Sequence, residues 1–331
     1  MSARQLLRLI LVVQALAALG IGVAAIEIFG AGRWEAAALA LGSVVLVRML
    51  INANNFFMSA RFASPTPPEY RLGPGACLRL FAEEFAASML QSSWTMPRAR
   101  ACRRLHPGAD VPPVLLLHGY GCNSGYWSHL MPLLDAARIS HAAVDLEPLT
   151  ADIDAYAPLV ERAVDELCAA SGSEKVVIVA HSMGGLVARA WMRACRQQGK
   201  APRAARVITL GTPHHGTCLA AFGIGLNAAQ MRRLKGRGQA ELPECDWLRA
   251  LAASEDAAAR ALVTSIYTHH DNIISPQTSS VLPGARNIAF GGVGHVALGR
   301  NRRVLAAVMR EIDSARRGEQ GPVNTADNMV K

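Results

Sequence analysis

Residues 176–186 read VVIVAHSMGGL. The first five form a continuous aliphatic run, the pattern of a strand buried on both faces. From Leu186 the spacing becomes helical, LVARAWMRACRQQG, and closes at Gly199. Between strand and helix stand Ala180, His181, Ser182, Met183, Gly184 and Gly185. A strand that turns directly into a helix has room only for small side chains around its apex, and it lifts the apex residue above the sheet on a strained backbone. The N–H groups at the start of the helix converge on the same spot and favour a developing negative charge there. Ser182 is therefore a candidate nucleophile, and the N–H of Met183 a candidate oxyanion donor.

A serine on such a turn takes its partners in the chain order serine, acid, histidine. The histidines after Ser182 are His214, His215, His269, His270 and His295. His295 follows the last predicted strand, within GGVGHVAL, where glycines let a loop bend over the site, and it is the expected general base. The acid should end the strand before, as Asp271 does in SIYTHHDNIISP. Asp246 falls in an insertion, Asp256 in an alanine-rich helical stretch, and Asp313 follows the base. Asp271 would hold the His295 tautomer and stabilise the imidazolium without taking the proton. The second oxyanion donor should come from the loop His118-Gly119-Tyr120-Gly121, with the Tyr120 N–H as the candidate. His118, Gly119, His181, His214 and His215 are expected to line the pocket. His269 and His270 read as orienting or surface groups.

Outward from the turn, the chain alternates between buried strands and helices. Predicted strands cover 111–120, 141–146, 175–180, 206–211, 261–268 and 285–290. Predicted helices cover 124–138, 152–170, 186–199 and 299–316. This alternation implies an α/β domain, residues 111–315, with a mostly parallel sheet and helices on both faces. About fifty residues separate the fourth and fifth of these strands, more than one crossover helix needs. Residues 213–260 therefore read as a small cap or lid. Phe222, Ile224, Leu226, Met231 and Leu234 are its apolar members, and Arg232, Arg233, Lys235 and Arg237 its basic run. Residues 316–331 read as a flexible tail.

With these segments in view, the chain resembles the α/β-hydrolase superfamily, and within it bacterial lipases and esterases. The His-Gly loop 118–121, AHSMGG (180–185), GTPHHGT (211–217), the Asp271 loop and GVGHVAL (292–298) occur in the order those enzymes show. AHSMGG, with alanine first, is similar to small lipases of the Bacillus type. The resemblance covers residues 111–312. It implies hydrolysis of carboxylic esters through an acyl-enzyme, with Ser182 as nucleophile, His295 as base and then acid, and Asp271 as orienter. An acyltransferase or thioesterase on the same fold, or a non-catalytic membrane scaffold, remain alternatives. Cys122, after Gly121, departs from the family's oxyanion loop. No acidic pair marks a structural calcium site. No cofactor and no metal are expected.

The remaining sequence points to a membrane. Of 331 residues, 51% are hydrophobic and 18% charged, and the apolar excess is concentrated near the start. LILVVQALAALGIGVAAI (9–26) carries no charge, which meets the length of a spanning helix. A second apolar run, 36–51, contains Arg48, whose long side chain could snorkel to an interface. Residues 1–60 are thus expected to form a transmembrane hairpin. A single anchor with an amphipathic second helix, or a signal peptide, are the alternatives. Arg4, Arg8, Arg61 and Arg71 flank the hairpin and place both ends in the cytoplasm by the positive-inside rule, at the inner membrane of a bacterium. Residues 61–110 read as a Pro/Gly-rich linker and an accessory helix, 77–91. The expected partners are an acyl ester or lipid substrate and membrane lipids. The net charge of +9 is scattered, without a nucleic-acid-binding pattern. The seven dispersed cysteines contain no C-x-x-C pair, which suits a reducing compartment.

Overall fold

The computed structural model describes residues 1–108, 111–233 and 244–317. The tail from 318, and Leu234, Lys235 and Arg237 of the cap, lie outside these residues. Seven strands form one sheet: β1 (Cys102–Arg104), β2 (Val114–Leu117), β3 (His141–Val144), β4 (Val176–His181), β5 (Ala204–Leu210), β6 (Val263–Thr268) and β7 (Arg286–Phe290). Their order is β1-β3-β2-β4-β5-β6-β7. Only β1 runs antiparallel, pairing Cys102 with Ala143 and Arg104 with His141. The chain steps outward from β2 to β3 and then returns to β4 on the other side of β2. That reversal opens a crevice at the carboxyl ends of β2 and β4.

Alternation along the strands builds two cores. Leu115, Leu117 and Ile178 face one side, where they meet Val160, Val164 and Leu167 of the helix Ala157–Ser171 and Leu186 and Trp191 of the helix Met183–Gln197. Val114, Leu116, Val177 and Val179 face the other side, against Tyr126, Trp127, Val304 and Val308. The last two lie on the helix Arg302–Arg316. Each such side chain, fully removed from water, contributes about 1.5–3 kcal/mol before the entropy of ordering is charged against it.

Local sequence explains the element ends. Asp152 accepts the Asp154 N–H at 2.8 Å and opens a 3-10 turn that runs into the helix Ala157–Ser171. Gly172, at φ +74°, closes that helix. The single helix expected over 124–138 is instead a 3-10 segment, Ser124–His129, followed by a short α-helix, Met131–Ala136. Pro132 stands in the first turn of the latter, where its missing N–H costs nothing.

Two long helices precede the sheet, α1 (Ala3–Glu27) and α2 (Arg33–Ala60). Both are long and apolar enough to cross a membrane, with mean hydropathy of 2.6 and 1.9 in their most apolar windows. Most of their large apolar side chains point outward, from Leu9 to Ile26 and from Leu39 to Ile51. A third helix, α3 (Pro74–Leu90), follows and packs on both α2 and the loop after His295.

Arg48 of α2 turns toward neighbouring helices. Its guanidinium donates to Gln14 Oε1 on α1, and to Ser92 Oγ at 2.9 Å and Ser93 Oγ at 2.7 Å just after α3. Three hydroxyl or amide acceptors on neighbouring segments thus share the cation. Arg4 and Arg8 donate to the Ala99 and Pro97 carbonyls at 3.0 and 2.8 Å. Ser59, in the last turn of α2, accepts at its carbonyl from Ser275 Oγ at 2.7 Å. Both helices are thus tied to the sheet-bearing part of the chain.

Candidate active site

Ser182 sits between β4 and the helix Met183–Gln197, with φ +53° and ψ −124°. Arg138 is the other non-glycine residue at positive φ among the described residues. Such a backbone costs about 1–3 kcal/mol and persists only when its surroundings hold it. Here the Ser182 N–H donates to the Leu210 carbonyl at 2.8 Å. The Ser182 carbonyl accepts from Thr212 Oγ1 at 2.8 Å and from the Gly185 N–H at 3.0 Å. A Cβ on Gly185 would lie 2.1 Å from Thr212 Oγ1, so the turn closes only around glycine. A Cβ on Gly119 would lie 2.9 Å from Ser182 Cβ, which shows how tightly the 118–121 loop presses on the serine.

Asp271 and His295 meet at the ends of the loops after β6 and β7. His295 Nδ1 lies 2.8 Å from Asp271 Oδ2. Both are buried, at 4% and 2% exposure. The other carboxylate oxygen of Asp271 accepts the N–H groups of Ile273 and Ile274 at 2.8 and 2.7 Å. Asn272 Oδ1 accepts the His295 N–H at 3.0 Å. Burial lowers the His295 pKa, but the charge and hydrogen bond of Asp271 and the charge of Glu84 outweigh it, so the pKa is raised. With Nδ1 committed to Asp271, Nε2 is the nitrogen free to exchange a proton. No hydrogen bond joins Ser182 Oγ to His295 among the described residues. In free enzymes such contacts often tighten only around substrate.

The other histidines have structural partners. His118 turns Nδ1 to the Gly119 carbonyl at 2.9 Å, and its Nε2 accepts the Leu146 N–H at 2.9 Å. His181 stacks on Tyr126 with centroids 4.0 Å apart and lies 4.6 Å from the His295 ring. Burial and the His295 charge push its pKa well down. His214 is buried among Arg189 and Thr209, and its carbonyl accepts from Arg189, which also clasps Glu255 at 2.6 and 2.8 Å. His215 pairs with Glu244 at 2.6 Å. These four and Gly119, expected on the pocket wall, stand behind or beside it; the buried imidazoles found protein partners instead. Cys122, half-buried beside the 118–121 loop, has its thiol pushed up to about 12 by desolvation.

Glu84 of α3 is a site residue that the sequence reading missed. It is 1% exposed and accepts the N–H groups of Val296 and Ala297, the two residues after His295, both at 2.9 Å. Burial pushes its carboxyl up, against the pull of the two N–H groups and the His295 charge. A signal for it existed. Leu80, Glu84 and Ala87 are the buried residues of α3, so one acid interrupts the helix's inward stripe.

A pocket of about 270 Å³ opens beside Ser182. Leu219, Ala220, Met231, Ile273 and Ile274 supply apolar wall, and Tyr120 stands at the loop side. The Tyr120 hydroxyl bridges to Ile224, accepting from its N–H at 2.9 Å and donating to its carbonyl at 2.8 Å. Met183 starts the helix beyond Ser182 and is 2% exposed. Asn54, Asn55 and Met58 complete the wall, so the last turns of α2 are part of the pocket.

Residues 114–274 match the model of the alpha/beta hydrolase family. Among solved structures, the mature form of a Bacillus licheniformis lipase is similar, at 20% identity and TM-score 0.51 over 64% of this chain and 97% of that one. The propeptide form of that lipase matches at 17% identity and TM-score 0.55, over 68% of this chain and 54% of that one. Lipase B of Aspergillus fumigatus matches at 18% identity and TM-score 0.50, over 66% and 55%. At these identities the likeness is one of fold.

Proposed function

We propose, from the match of residues 114–274 to the alpha/beta hydrolase family and the fold shared with a lipase, that the chain is an α/β-hydrolase and a membrane-anchored serine hydrolase of carboxylic esters. The observation that carries the reading is the pairing of an elbow serine at φ +53° with a buried histidine fixed by a carboxylate at 2.8 Å. Ser182 Oγ attacks the ester carbonyl while His295 Nε2 takes its proton. Asp271 keeps the imidazole oriented and balances the imidazolium. The oxyanion of the tetrahedral intermediate rests on the N–H groups of Met183 and Tyr120, each worth about 3 kcal/mol of barrier in comparable sites. Collapse breaks the ester C–O bond, and His295 returns the proton to the leaving alcohol. Water, activated by His295, then releases the acid and restores Ser182.

The pocket's apolar lining favours an acyl chain. Membrane attachment is supported by two outward-facing apolar helices, and retention of α1 by the Arg48–Gln14 and Arg4–Ala99 contacts. With the end of α2 in the pocket wall, residues 1–60 act as anchor and as part of the acyl site, while 111–315 carry the chemistry. The test is turnover of p-nitrophenyl esters by the detergent-solubilised chain and its Ser182→Ala variant. Loss in the variant supports the reading, and undiminished turnover overturns it.

A further inference from the structure

At the edge of the sheet, away from the crevice, three residues from separate elements converge. His106 follows β1, Asp135 lies in the helix Met131–Ala136, and His141 is the first residue of β3. Their ligand atoms all lie within 4.8 Å of one another. His141 is fully buried. Its Nδ1 lies 2.9 Å from the Ile139 carbonyl, which can only accept, so Nδ1 carries the hydrogen and Nε2 presents a lone pair. That Nε2 has no hydrogen-bond partner among the described residues. It faces Asp135 Oδ1 at 4.0 Å, and His106 Nε2 lies 3.0 Å from the same oxygen.

A buried imidazole lone pair that faces a carboxylate oxygen meets no donor there, an arrangement that costs free energy until a cation or a bridging water satisfies the nitrogen. The 4.0 Å gap is too long for a direct hydrogen bond between the two atoms and leaves room for an ion between them. We propose that His106, Asp135 and His141 bind a divalent transition-metal ion, zinc by preference. A point equidistant from three atoms at these spacings lies about 2.0–2.4 Å from each, against roughly 2.0–2.2 Å for zinc bound to nitrogen or carboxylate oxygen. Shifts of a few tenths of an ångström close the difference. Two imidazoles and one carboxylate suit zinc, nickel or copper and do not suit calcium or magnesium, which require mostly oxygen.

The surroundings match a metal-ligating histidine, whose second nitrogen characteristically donates to a carbonyl, as His141 does to Ile139. Arg104 Nε lies 3.5 Å from the other Asp135 oxygen and shares that carboxylate's charge. Ser140 Oγ accepts the His106 N–H at 2.9 Å and fixes the approach of that residue. The ion takes no part in the ester chemistry, because His141 opens β3 at its amino end while Ser182 follows the carboxyl end of β4. It pins the three-residue edge strand β1, the sheet's link to α3 and the apolar helices, to β3. Nothing in the sequence spacing of these residues suggests a site, which is why none was expected there.

The test uses the untagged full chain in detergent, stripped by chelator and titrated with Co²⁺ and Zn²⁺. The expected result is one equivalent of Co²⁺ with visible d–d absorption, displaced by Zn²⁺, and a rise in melting temperature on adding Zn²⁺. His106→Gln and Asp135→Asn, both at partly exposed positions, should each weaken binding at least tenfold and abolish the thermal shift. Their circular dichroism and the labelling of Ser182 by a fluorophosphonate should stay unchanged. Absence of stoichiometric binding, or binding that both variants retain, overturns the proposal and leaves an ordinary His106–Asp135 hydrogen bond.

Discussion

Asp271 Oδ2 stands 2.8 Å from His295 Nδ1, with both residues almost wholly shielded from water. The contact fixes the tautomer and raises the His295 pKa despite burial. A general base acts when unprotonated, so a raised pKa moves the acid limb of kcat/KM to higher pH. The limb should fall above the ordinary histidine value of about 6.5. Asp271→Asn removes both the charge and the tautomer control. A loss of about 10⁴ in kcat is expected, with the residual activity's acid limb displaced to lower pH. A pH–rate profile of both proteins checks this.

Glu84 should act as a positioning residue for His295. Glu84→Gln keeps the shape but offers one acceptor to two N–H groups, and it removes a charge that raises the His295 pKa. The expected outcome is a 10- to 100-fold fall in kcat, little change in KM, and an acid limb shifted to lower pH. A merely structural role would lower the amount of folded enzyme without moving the limb. Glu84→Asp, one methylene shorter, should restore the limb more than the rate.

The raised pKa of the Glu84 carboxyl has a consequence for stability. The folded state holds this proton more tightly than the unfolded chain does. Its contribution is therefore present at pH below the unfolded carboxyl value and is lost as pH rises through the raised folded value. Relative to wild type, Glu84→Gln should gain melting temperature as the pH rises across that window. A melting series from pH 4 to 8 on both proteins measures the difference.

Gly185 leaves no room for a methyl group, since its Cβ would stand 2.1 Å from Thr212 Oγ1 and 2.8 Å from Thr212 Cγ2. Gly185→Ala should cost at least 1–3 kcal/mol and disturb the Thr212–Ser182 bond with it. Denaturant unfolding should give a lower midpoint with an unchanged slope.

Met58 brings the end of α2 to the acyl pocket. Met58→Trp should shift preference toward shorter p-nitrophenyl esters, with the loss for longer chains in kcat/KM rather than in folding. An unchanged chain-length profile would remove α2 from the account of the pocket.

The sequence made the core of the site legible because its chemistry is written locally. Small residues must flank Ser182, and the strand and helix around it have unmistakable periods. Asp271 and His295 could be picked out because each follows a buried strand in the required order. Long-range partnerships were not legible. The partners of Glu84 lie more than two hundred residues away, and only its place on an apolar stripe hinted at burial. Strand β1 is three residues, CRR, with no hydrophobic alternation, and it exists because β3 offers an unpaired edge. His214 was not legible either, because a histidine near a strand end reads alike in sequence whether it faces a pocket or, as here, Arg189 and Thr209. Composition marked α2 as long and apolar enough to span a membrane but could not show that its last turns line the pocket beside Ser182.

The most direct test of the account is peptide mapping of the full chain after reaction with a fluorophosphonate probe, with ester hydrolysis followed in parallel. The account predicts one adduct, on Ser182, with hydrolysis lost in proportion to labelling and no adduct in Ser182→Ala. Hydrolysis that persists in the fully labelled protein, or an adduct elsewhere that tracks the loss, would contradict it.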